Sequence, residues 1–431
     1  MSTSRPIRVT FLTFYYEAWD ALAGVYELMR ADARFDVRVV AISRRLTGEA
    51  GFDDAAGVSA FFDRLGIEHQ VNADLAGLFD GAAPDYIFVN YPWQRNYAPQ
   101  YRPDALAAVA RIAYVPYFSL PLVQEPVDGV NPSSGFEPIA AHLYTQRMHQ
   151  VASLVFTQDE FTRDAFALTQ RGNTHVHFVG STKLDQLVAD YAAATEVAGV
   201  AGGGAAGADA AGADAPSKTL LWAPHHSYSS HWLNFGNFVQ IHEDMLHWAS
   251  EHPDWRVILR PHPFLFGTLI DRKVMPAGEL ESWLNWWNSL PNTSIDVASS
   301  SAQVFAQASH ILTDGISYLA EWPLATGRSP IFLEHAGHWE FSPLGEVAAA
   351  TAHKISMIGE LDAAIALMGL GFDRVIELAE LHAAALPNPG RTAHRIVEVV
   401  AADFEAGSDL VDVAAITEIP WELQSNREPL E

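Results

Sequence analysis

The sequence alternates short apolar, β-rich runs with runs of helical apolar spacing, and this alternation constrains the fold more than any other feature. In the first half, the strand-like run Ile7–Phe14 is followed by Trp19–Arg30, where apolar side chains recur at helical spacing. The same alternation recurs in the second half, where the strand-like run Thr219–Ala223 precedes the helical run Phe235–Ser250. Strands and helices that alternate in this way form parallel sheets covered on both faces. The sequence therefore predicts an α/β protein with two Rossmann-like parallel-sheet domains.

A stretch composed almost entirely of Ala, Gly and Asp separates the two halves. It has too little apolar bulk to bury, so we expect a flexible linker, with a helix that could extend into its first alanines. The predicted domains are an N-terminal domain (1–191), the linker (192–217), a C-terminal domain (218–390), and a final helix and tail (391–431). Ligands of such sheets bind at the carboxyl ends of the strands, so we also expect a cleft between the domains.

The apolar pattern also makes two specific predictions of helix. The pattern predicts one continuous helix over Pro138–Val151. From about Pro343 onward it predicts helices alone.

Charge and composition exclude several classes of function. Asp and Glu number 52 against 26 Lys and Arg, a formal charge of −26, which disfavours a broad nucleic-acid surface or adsorption to anionic lipids. The absence of cysteine excludes disulfides, thiolate zinc sites and thiol nucleophiles. No signal peptide and no apolar run of membrane-spanning length is evident. We expect a cytoplasmic protein that contacts the inner face of a membrane at most peripherally.

Three strand-like runs of the second half each end in residues that bind or polarise anions. The three stretches are Trp222-Ala-Pro-His-His-Ser-Tyr228, Leu259-Arg-Pro-His-Pro263, and Thr313-Asp-Gly-Ile-Ser-Tyr-Leu-Ala-Glu321. Because the carboxyl ends of parallel strands meet at one edge, we expect these stretches to converge.

The third stretch places Asp314, Gly315 and Ser317 where a strand turns into a helix. Free backbone N–H groups and the helix dipole favour an anion such as phosphate at that point. An ordinary turn with Asp or Ser as the helix cap is the alternative. Glu321 lies one helical turn later and either accepts ribose hydroxyls or serves a structural role.

The first two stretches supply a cation and imidazoles. Arg260 could grip a phosphate with its fork of donors, or form an ion pair with one of the many carboxylates. His262, between two prolines, could donate to phosphate or move a proton, or simply bond within its loop. His225 and His226 are adjacent and lack a nearby carboxylate, so a metal site is not predicted, although dependence on a divalent metal stays open.

Several nucleotide-binding signatures do not occur. The chain has no Walker-type lysine loop and no Gly-x-Gly-x-x-Gly after a strand, so ATPase, GTPase and nicotinamide-dependent functions have no support. The glycines of Gly202-Gly-Gly204 belong to the low-complexity linker.

Together these motifs resemble the CDP-glycerol glycerophosphotransferase family, the teichoic-acid and capsule polymerases and primases with a glycosyltransferase-B fold. The three stretches above, followed by Thr326-Gly-Arg-Ser-Pro330, match the family's order and spacing. The similarity extends over roughly residues 7 to 335 and includes Trp19–Tyr26, Tyr114–Phe118 and Gly180–Asp185.

The resemblance implies transfer of a polyol-phosphate or sugar-phosphate from a CDP-activated donor to a hydroxyl of a cell-surface glycan or its lipid-linked precursor. It implies no tightly bound cofactor. The C-terminal domain would bind the donor and the N-terminal domain the acceptor. Arg260, His262 and Ser317 would neutralise the diphosphate, while Asp314 and Glu321 would orient the loop and the ribose.

One departure from the family concerns the catalytic base. The polymerases carry a His-Gly at the end of the strand that corresponds to Ile112–Val115, whereas this chain reads Tyr114-Val-Pro-Tyr-Phe-Ser119. His225 and His226 then become candidates for the base. Two alternatives stay open: a nucleotide-sugar glycosyltransferase of the same fold, and a catalytically lapsed nucleotide-binding protein.

Overall fold

The computed structural model describes most of the chain. The described residues are 5–45, 51–124, 141–197, 218–229, 232–297, 300–371 and 374–417. Most of the predicted linker, residues 198–217, lies outside them, as does the end of the tail, residues 418–431.

Strands and helices alternate along the described residues, as the pattern predicts. The strands are β1 (Ile7–Thr13), β2 (Phe35–Ala41), β3 (Gln70–Val71), β4 (Tyr86–Val89), β5 (Arg111–Tyr114), β6 (Leu154–Thr157), β7 (Val176–Phe178), β8 (Thr219–Ala223), β9 (Arg256–Leu259), β10 (Thr293–Ile295), β11 (His310–Thr313), β12 (Ile331–Leu333) and β13 (His353–Ile355). The helices are α1 (Asp20–Ala31), α2 (Ala56–Leu65), α3 (Pro103–Ala107), α4 (Arg147–Val151), α5 (Glu160–Ala165), α6 (Thr182–Val197), α7 (Phe238–Glu251), α8 (Leu265–Asp271), α9 (Ala277–Ser289), α10 (Ser301–Gln307), α11 (Ile316–Thr326), α12 (Pro343–Ala350), α13 (Leu361–Gly369), α14 (Val375–Ala385) and α15 (Thr392–Ala406).

The strands form two sheets in which every pair is parallel. The first sheet has the order β3-β2-β1-β4-β5-β6-β7, and the second the order β10-β9-β8-β11-β12-β13. Strand order reverses once in each sheet, at β1/β4 and at β8/β11, as in doubly wound folds. The prediction of two Rossmann-like parallel-sheet units is confirmed.

The chain divides into two compact units, and the first is built from two distant parts of the sequence. The first unit comprises residues 1–121, 125–186 and 385–431, and the second comprises residues 122–124 and 187–384. Helix α15 therefore belongs to the first unit, where Ile396 and Val400 are fully buried in its core. The phenol of Tyr86 in β4 donates to Asp403 of α15, and Arg34 pairs with Glu398 at 2.8 Å. The final helix is thus a layer of the first unit.

Two sequence predictions fail locally. His353–Ile355 is a strand at the edge of the second sheet, although only helices were predicted there, because three residues are too few to show a period. Pro138–Val151 is not one helix: a single 3₁₀ turn at Ala141–Leu143 is followed by α4, which begins after Gln146, whose backbone N–H donates to His149 Nδ1 at 3.3 Å. Residues 138–140 lie outside the described part.

Helix α6 confirms that helical structure runs into the first alanines after residue 191, since it ends at Val197. In the part of the chain that the structure describes, no helix combines the length and the apolar character that crossing a bilayer requires.

The position of α15 predicts how its residues affect stability. We expect Ile396→Ala to lower the free energy of unfolding of the first unit by about 2–5 kcal/mol, because the substitution removes buried methyl groups and leaves a cavity. Glu398→Ala in the same helix removes only an exposed ion pair and should cost about 0–1 kcal/mol. Urea denaturation followed by circular dichroism measures both values. Equal effects of the two substitutions would contradict the burial of α15.

Candidate functional site

Three of the sequence stretches meet at one edge of the second sheet. Strand β8 lies between β9 and β11, with Trp222 opposite Leu259 on one side and Leu312 on the other. Because all three strands are parallel, their carboxyl ends lie side by side. The residues that follow these strands therefore share one edge, which we call the anion edge.

The carboxylate of Asp314 joins the loops at this edge. Its Oδ1 accepts the backbone N–H of His225 at 2.6 Å, and its Oδ2 accepts that of Asn237 at 2.6 Å. The side chain is only 3% exposed. Since Asn237 precedes α7, one carboxylate fixes both the start and the end of the loop that connects β8 to α7. Asp314 therefore acts on the loop rather than on the surface where a ligand would bind.

A second contact holds the turn between β11 and α11 against this loop. Gly315 N–H donates to Thr313 Oγ1 at 2.9 Å, and the Thr313 hydroxyl donates to the carbonyl of Ala223 at 2.9 Å. A Cβ at position 315 would lie 3.3 Å from Thr313 Oγ1 and 3.5 Å from His225 Cδ2. Glycine thus allows the turn to approach the His225 ring closely.

His225, His226 and His262 form a cluster, called here the histidine cluster. The ring centroids of His226 and His262 are 3.9 Å apart and nearly parallel, and that of His225 lies 4.6 Å from His226 and 5.5 Å from His262. The backbone N–H of His262 donates to the carbonyl of Pro224 at 3.1 Å, which ties the two loops together. The structure thus brings together the three histidines that the sequence proposed as catalytic.

Local hydrogen bonds determine the tautomer of His225. Ser227 Oγ accepts the N–H of Phe235 at 2.9 Å and lies 2.8 Å from His225 Nδ1, to which its hydroxyl proton is therefore available. Nδ1 of His225 is then an acceptor, and a neutral ring carries its proton on Nε2. His262 Nδ1 similarly accepts the N–H of Phe264 at 3.2 Å. Both imidazoles consequently present an Nε2–H donor, which suits an anionic ligand.

Burial keeps two members of the cluster, His225 and His226, uncharged. Burial lowers the pKa of His225 well below its usual value, and the neighbouring His226 lowers it further. Burial, with a smaller effect of the Arg272 charge, lowers the pKa of His226 to about 4. Burial raises the pKa of Asp314 to about 7 despite its backbone hydrogen bonds. At neutral pH the rings of His225 and His226 are therefore uncharged, and an arriving anion would favour their protonation.

Arg260 lies at this edge with part of its guanidinium already bound. Its Nε donates to the hydroxyl of Tyr318 at 2.8 Å, and its Nη1 donates to Asp296 at 2.9 Å. The ion pair that the sequence left open is present. Within the described residues Nη2 has no hydrogen-bond partner, so one nitrogen could still contact a phosphate.

The first turn of α11 places the remaining candidates differently. Gly315 caps this 11-residue helix without a side-chain hydrogen bond, and Ser317 in its first turn is exposed. The N–H groups and the hydroxyl there are suitably placed for an anion. Glu321 is only 1% exposed, so a ribose could reach it only if covering groups moved.

Four residues that organise the edge were not assigned a role from the sequence. They are Ser227, Asn237, Asp296 and Tyr318. Asp296 follows β10, so the argument from strand ends could have found it. Ser227 and Tyr318 lie within the quoted motifs, but their partners are set by tertiary contacts. Asn237 contributes only its backbone N–H to Asp314. Any residue except proline could do this, so the identity of the side chain gives no clue to the contact.

The corresponding edge of the first unit carries tyrosines. After β5, Tyr117 packs against Tyr15 and Tyr91, with ring centroids 5.5 and 5.1 Å apart. This is the stretch where the family would have its histidine. Among the described residues, no group of three or more His, Asp or Glu side chains could hold a metal ion.

Comparison with solved structures shows the fold. The wall teichoic acid polymerase TagF soaked with CDPG is 11% identical, with a TM-score of 0.56, covering 94% of this chain and 91% of that chain. The UDP-GlcNAc 2-epimerase from Neisseria meningitidis bound to UDP-GlcNAc is 13% identical, with a TM-score of 0.52 and coverages of 92% and 99%. The S. aureus MnaA–UDP co-structure is 12% identical, with a TM-score of 0.53 and coverages of 93% and 97%.

These similarities identify a glycosyltransferase-B type fold, which confirms the predicted fold class. They include the wall teichoic acid polymerase TagF, so the resemblance to teichoic-acid polymerases is matched at the level of the fold. Neither family models nor curated protein sequences gave a match.

The buried carboxylate gives a stability prediction. We expect Asp314→Asn to lower the free energy of unfolding of the second unit by about 1–3 kcal/mol, because the amide nitrogen cannot accept the backbone N–H that faces it. Asp254→Asn is the control: its partner Lys218 and the carboxylate are both 58% exposed, so loss of that solvent-screened pair should leave the stability nearly unchanged. Chemical denaturation compares the variants. If Asp314→Asn left the free energy of unfolding unchanged, the two backbone hydrogen bonds would not be what holds the loop.

The raised pKa of Asp314 also predicts a pH dependence. A carboxyl group with a pKa of about 7 when folded and 3.8 when unfolded binds more protons in the native state between these values. Its contribution is complete below pH 3.8 and is lost as the pH rises through 7. The stability of the native protein relative to Asp314→Asn should therefore fall over this window, as denaturation at several pH values would measure. A difference that rises with pH would show that the pKa of Asp314 is lowered.

Proposed function

We propose that this protein transfers a polyol-phosphate or sugar-phosphate from a CDP-activated donor to a hydroxyl of a cell-surface glycan or its lipid-linked precursor. The observation that carries the proposal is the anion edge. There the histidine cluster lies beside the start of α11, where Gly315 approaches the His225 ring. The edge is also the place where ligands of parallel α/β sheets bind.

Each part of the edge has a role in binding the donor. The N–H groups at the start of α11, with Ser317, would hold the diphosphate. The Nε2–H groups of His225 and His262 would donate to its oxygens. Asp314 would keep the loop in place, and Arg260 would position Tyr318 while its remaining nitrogen contacts phosphate.

The reaction follows from this arrangement. The acceptor hydroxyl would attack the phosphorus of the polyol-phosphate, a new P–O bond would form, and the bond to the CMP phosphate would break. The edge would stabilise the charge that develops on the departing CMP, so positioning and electrostatics supply most of the acceleration. The hydroxyl proton would pass to His226, a neutral imidazole whose affinity for a proton rises beside the diphosphate.

The similarity to solved structures agrees with a nucleotide-activated donor but leaves the nucleotide open. TagF was soaked with CDPG, the S. aureus MnaA structure contains UDP, and the Neisseria meningitidis epimerase contains UDP-GlcNAc. The motif order favours CDP, whereas the tyrosines in place of the family's His-Gly favour a different chemistry. A nucleotide-sugar transferase is therefore the second candidate. A lapsed nucleotide-binding protein is the third, supported by the same departure.

A donor screen separates the three candidates. We expect CMP release from CDP-glycerol or CDP-ribitol when acceptor glycans are supplied, measured by chromatography of the nucleotide products. Release of UDP or GDP from nucleotide sugars would establish the second candidate. Thermal stabilisation by CDP without turnover would favour the lapsed protein, and no effect of any nucleotide would reject all three.

The role of the cluster is tested by His262→Ala. We expect the variant to stay folded and to lose turnover by about 10²–10⁴-fold, the usual contribution of a group that transfers a proton or stabilises charge. The control is His247→Ala, because His247 is 73% exposed on α7 and pairs only with Glu251. Initial rates of nucleotide release, with circular dichroism to verify folding, measure both. Full activity of His262→Ala would remove this residue from the site.

A further inference from the structure

A pocket of about 510 Å³ lies in the first unit, away from the carboxyl edge of its sheet. Its walls include Ser153 and Leu154 at the start of β6 and His175 just before β7. Helix α15 and the loop that follows it close the other side. The pocket therefore lies at the amino ends of the last two strands, and its volume is within the range of small-molecule sites.

The pocket contains an arginine that no carboxylate neutralises. Arg171 Nη1 donates to the carbonyls of Gln150 at 2.9 Å and Ala152 at 2.5 Å. Among the described residues Arg171 forms no ion pair, and its Nε and Nη2 make no hydrogen bond. Arg171 has no carboxylate partner in the described part of the chain, even though the full sequence carries 52 acidic residues against 26 basic ones. A half-buried, uncompensated guanidinium is costly, and its fork matches a phosphate or carboxylate.

Two carboxylates line the pocket, and one of them, Asp403, already has three hydrogen-bond donors. Asp403 accepts from the phenol of Tyr86, from Arg111 Nη1 at 3.4 Å and from Ser408 Oγ at 2.7 Å. Asp409 also lines the pocket but is exposed to solvent. Neither carboxylate therefore neutralises Arg171.

Two imidazoles line the pocket beside this arginine. Burial, with smaller effects of the Arg171 charge and the neighbouring His177, lowers the pKa of His175 to about 3, although a hydrogen bond to the backbone of His149 opposes the shift. Burial also lowers the pKa of His177, while Asp403 opposes that shift. The rings are thus neutral at physiological pH. An anion bound at Arg171 would reverse the field at both rings and favour their protonation.

We propose that this pocket binds a compact anion that carries a phosphate or carboxylate group. The fork of Arg171 holds the anion through Nε and Nη2, and His175 and His177, once protonated beside the anion, add hydrogen-bond donors. The site is separate from the anion edge of the second unit and does not depend on the proposed transfer reaction. Because α15 forms one wall, the bound anion also strengthens the attachment of this helix to β6 and β7.

The test is a histidine-selective NMR titration of the full chain with inorganic phosphate and, separately, acetate at constant ionic strength. The Cε1–H resonances of His175 and His177, assigned with His175→Gln and His177→Gln, should move and titrate at higher pH when the anion is present. The same spectrum reports on the histidine cluster separately. The ion that produces the larger response at lower concentration identifies the group that the site prefers. If neither phosphate nor acetate moves the resonances of His175 and His177, the proposal is rejected.

Variants of Arg171 provide the second measurement. We expect Arg171→Gln to weaken the anion effect on the two histidines by about tenfold or more, as loss of a charge-assisted hydrogen bond does. Arg171→Lys should keep part of it. The control is Arg64→Gln on α2, because Arg64 lies over the ring of Phe61 and does not line the pocket. An undiminished response in a folded Arg171→Gln overturns the proposal, and if that variant does not fold, the titration of the native chain decides.

Discussion

The second unit depends on one carboxylate whose two oxygens bind backbone rather than ligand. Asp314, at the end of β11, accepts the N–H groups that open and close the loop after β8. That loop carries His225 and His226, and His262 stacks on His226 from the next loop. The carboxylate of Asp314, which is only 3% exposed, thereby determines where the histidine cluster lies. Two short hydrogen bonds oppose the cost of burying the carboxylate, and the pKa near 7 shows that burial outweighs them.

The neutral state of the imidazoles fits the chemistry of a strongly acidic chain. A protein of formal charge −26 would repel the proposed diphosphate donor at long range, so its binding would rest on short-range donors. Neutral Nε2–H groups and the start of α11 supply such donors without the cost of burying several cations together. The positive charge of Arg260 is likewise largely compensated, because Asp296 and Tyr318 bind two of its three guanidinium nitrogens. The site is therefore organised by hydrogen bonds more than by net charge.

The sequence predicted the sheets and the meeting of the three strand ends because those features follow from period and order. It assigned most strands correctly wherever an apolar run was long enough, but His353–Ile355 is too short to show a period. The positions of single side chains were beyond it. Glu321 has the spacing of a residue beside Ser317, yet it is buried, because helical spacing does not tell which groups cover a face. Asn237 and Asp314 meet across 77 residues of sequence, and no local pattern reports such a contact.

The return of α15 to the first unit has a consequence for the order of events during synthesis. The strands of the first sheet leave the ribosome early, but the helix that covers part of their core follows the whole of the second unit. The second unit is continuous apart from residues 122–124, so it can complete most of its core before the first one does. Until α15 arrives, the apolar surface that Ile396 and Val400 later cover stays open to water and to chaperones. The first unit can therefore complete its core only after the second unit has been synthesised.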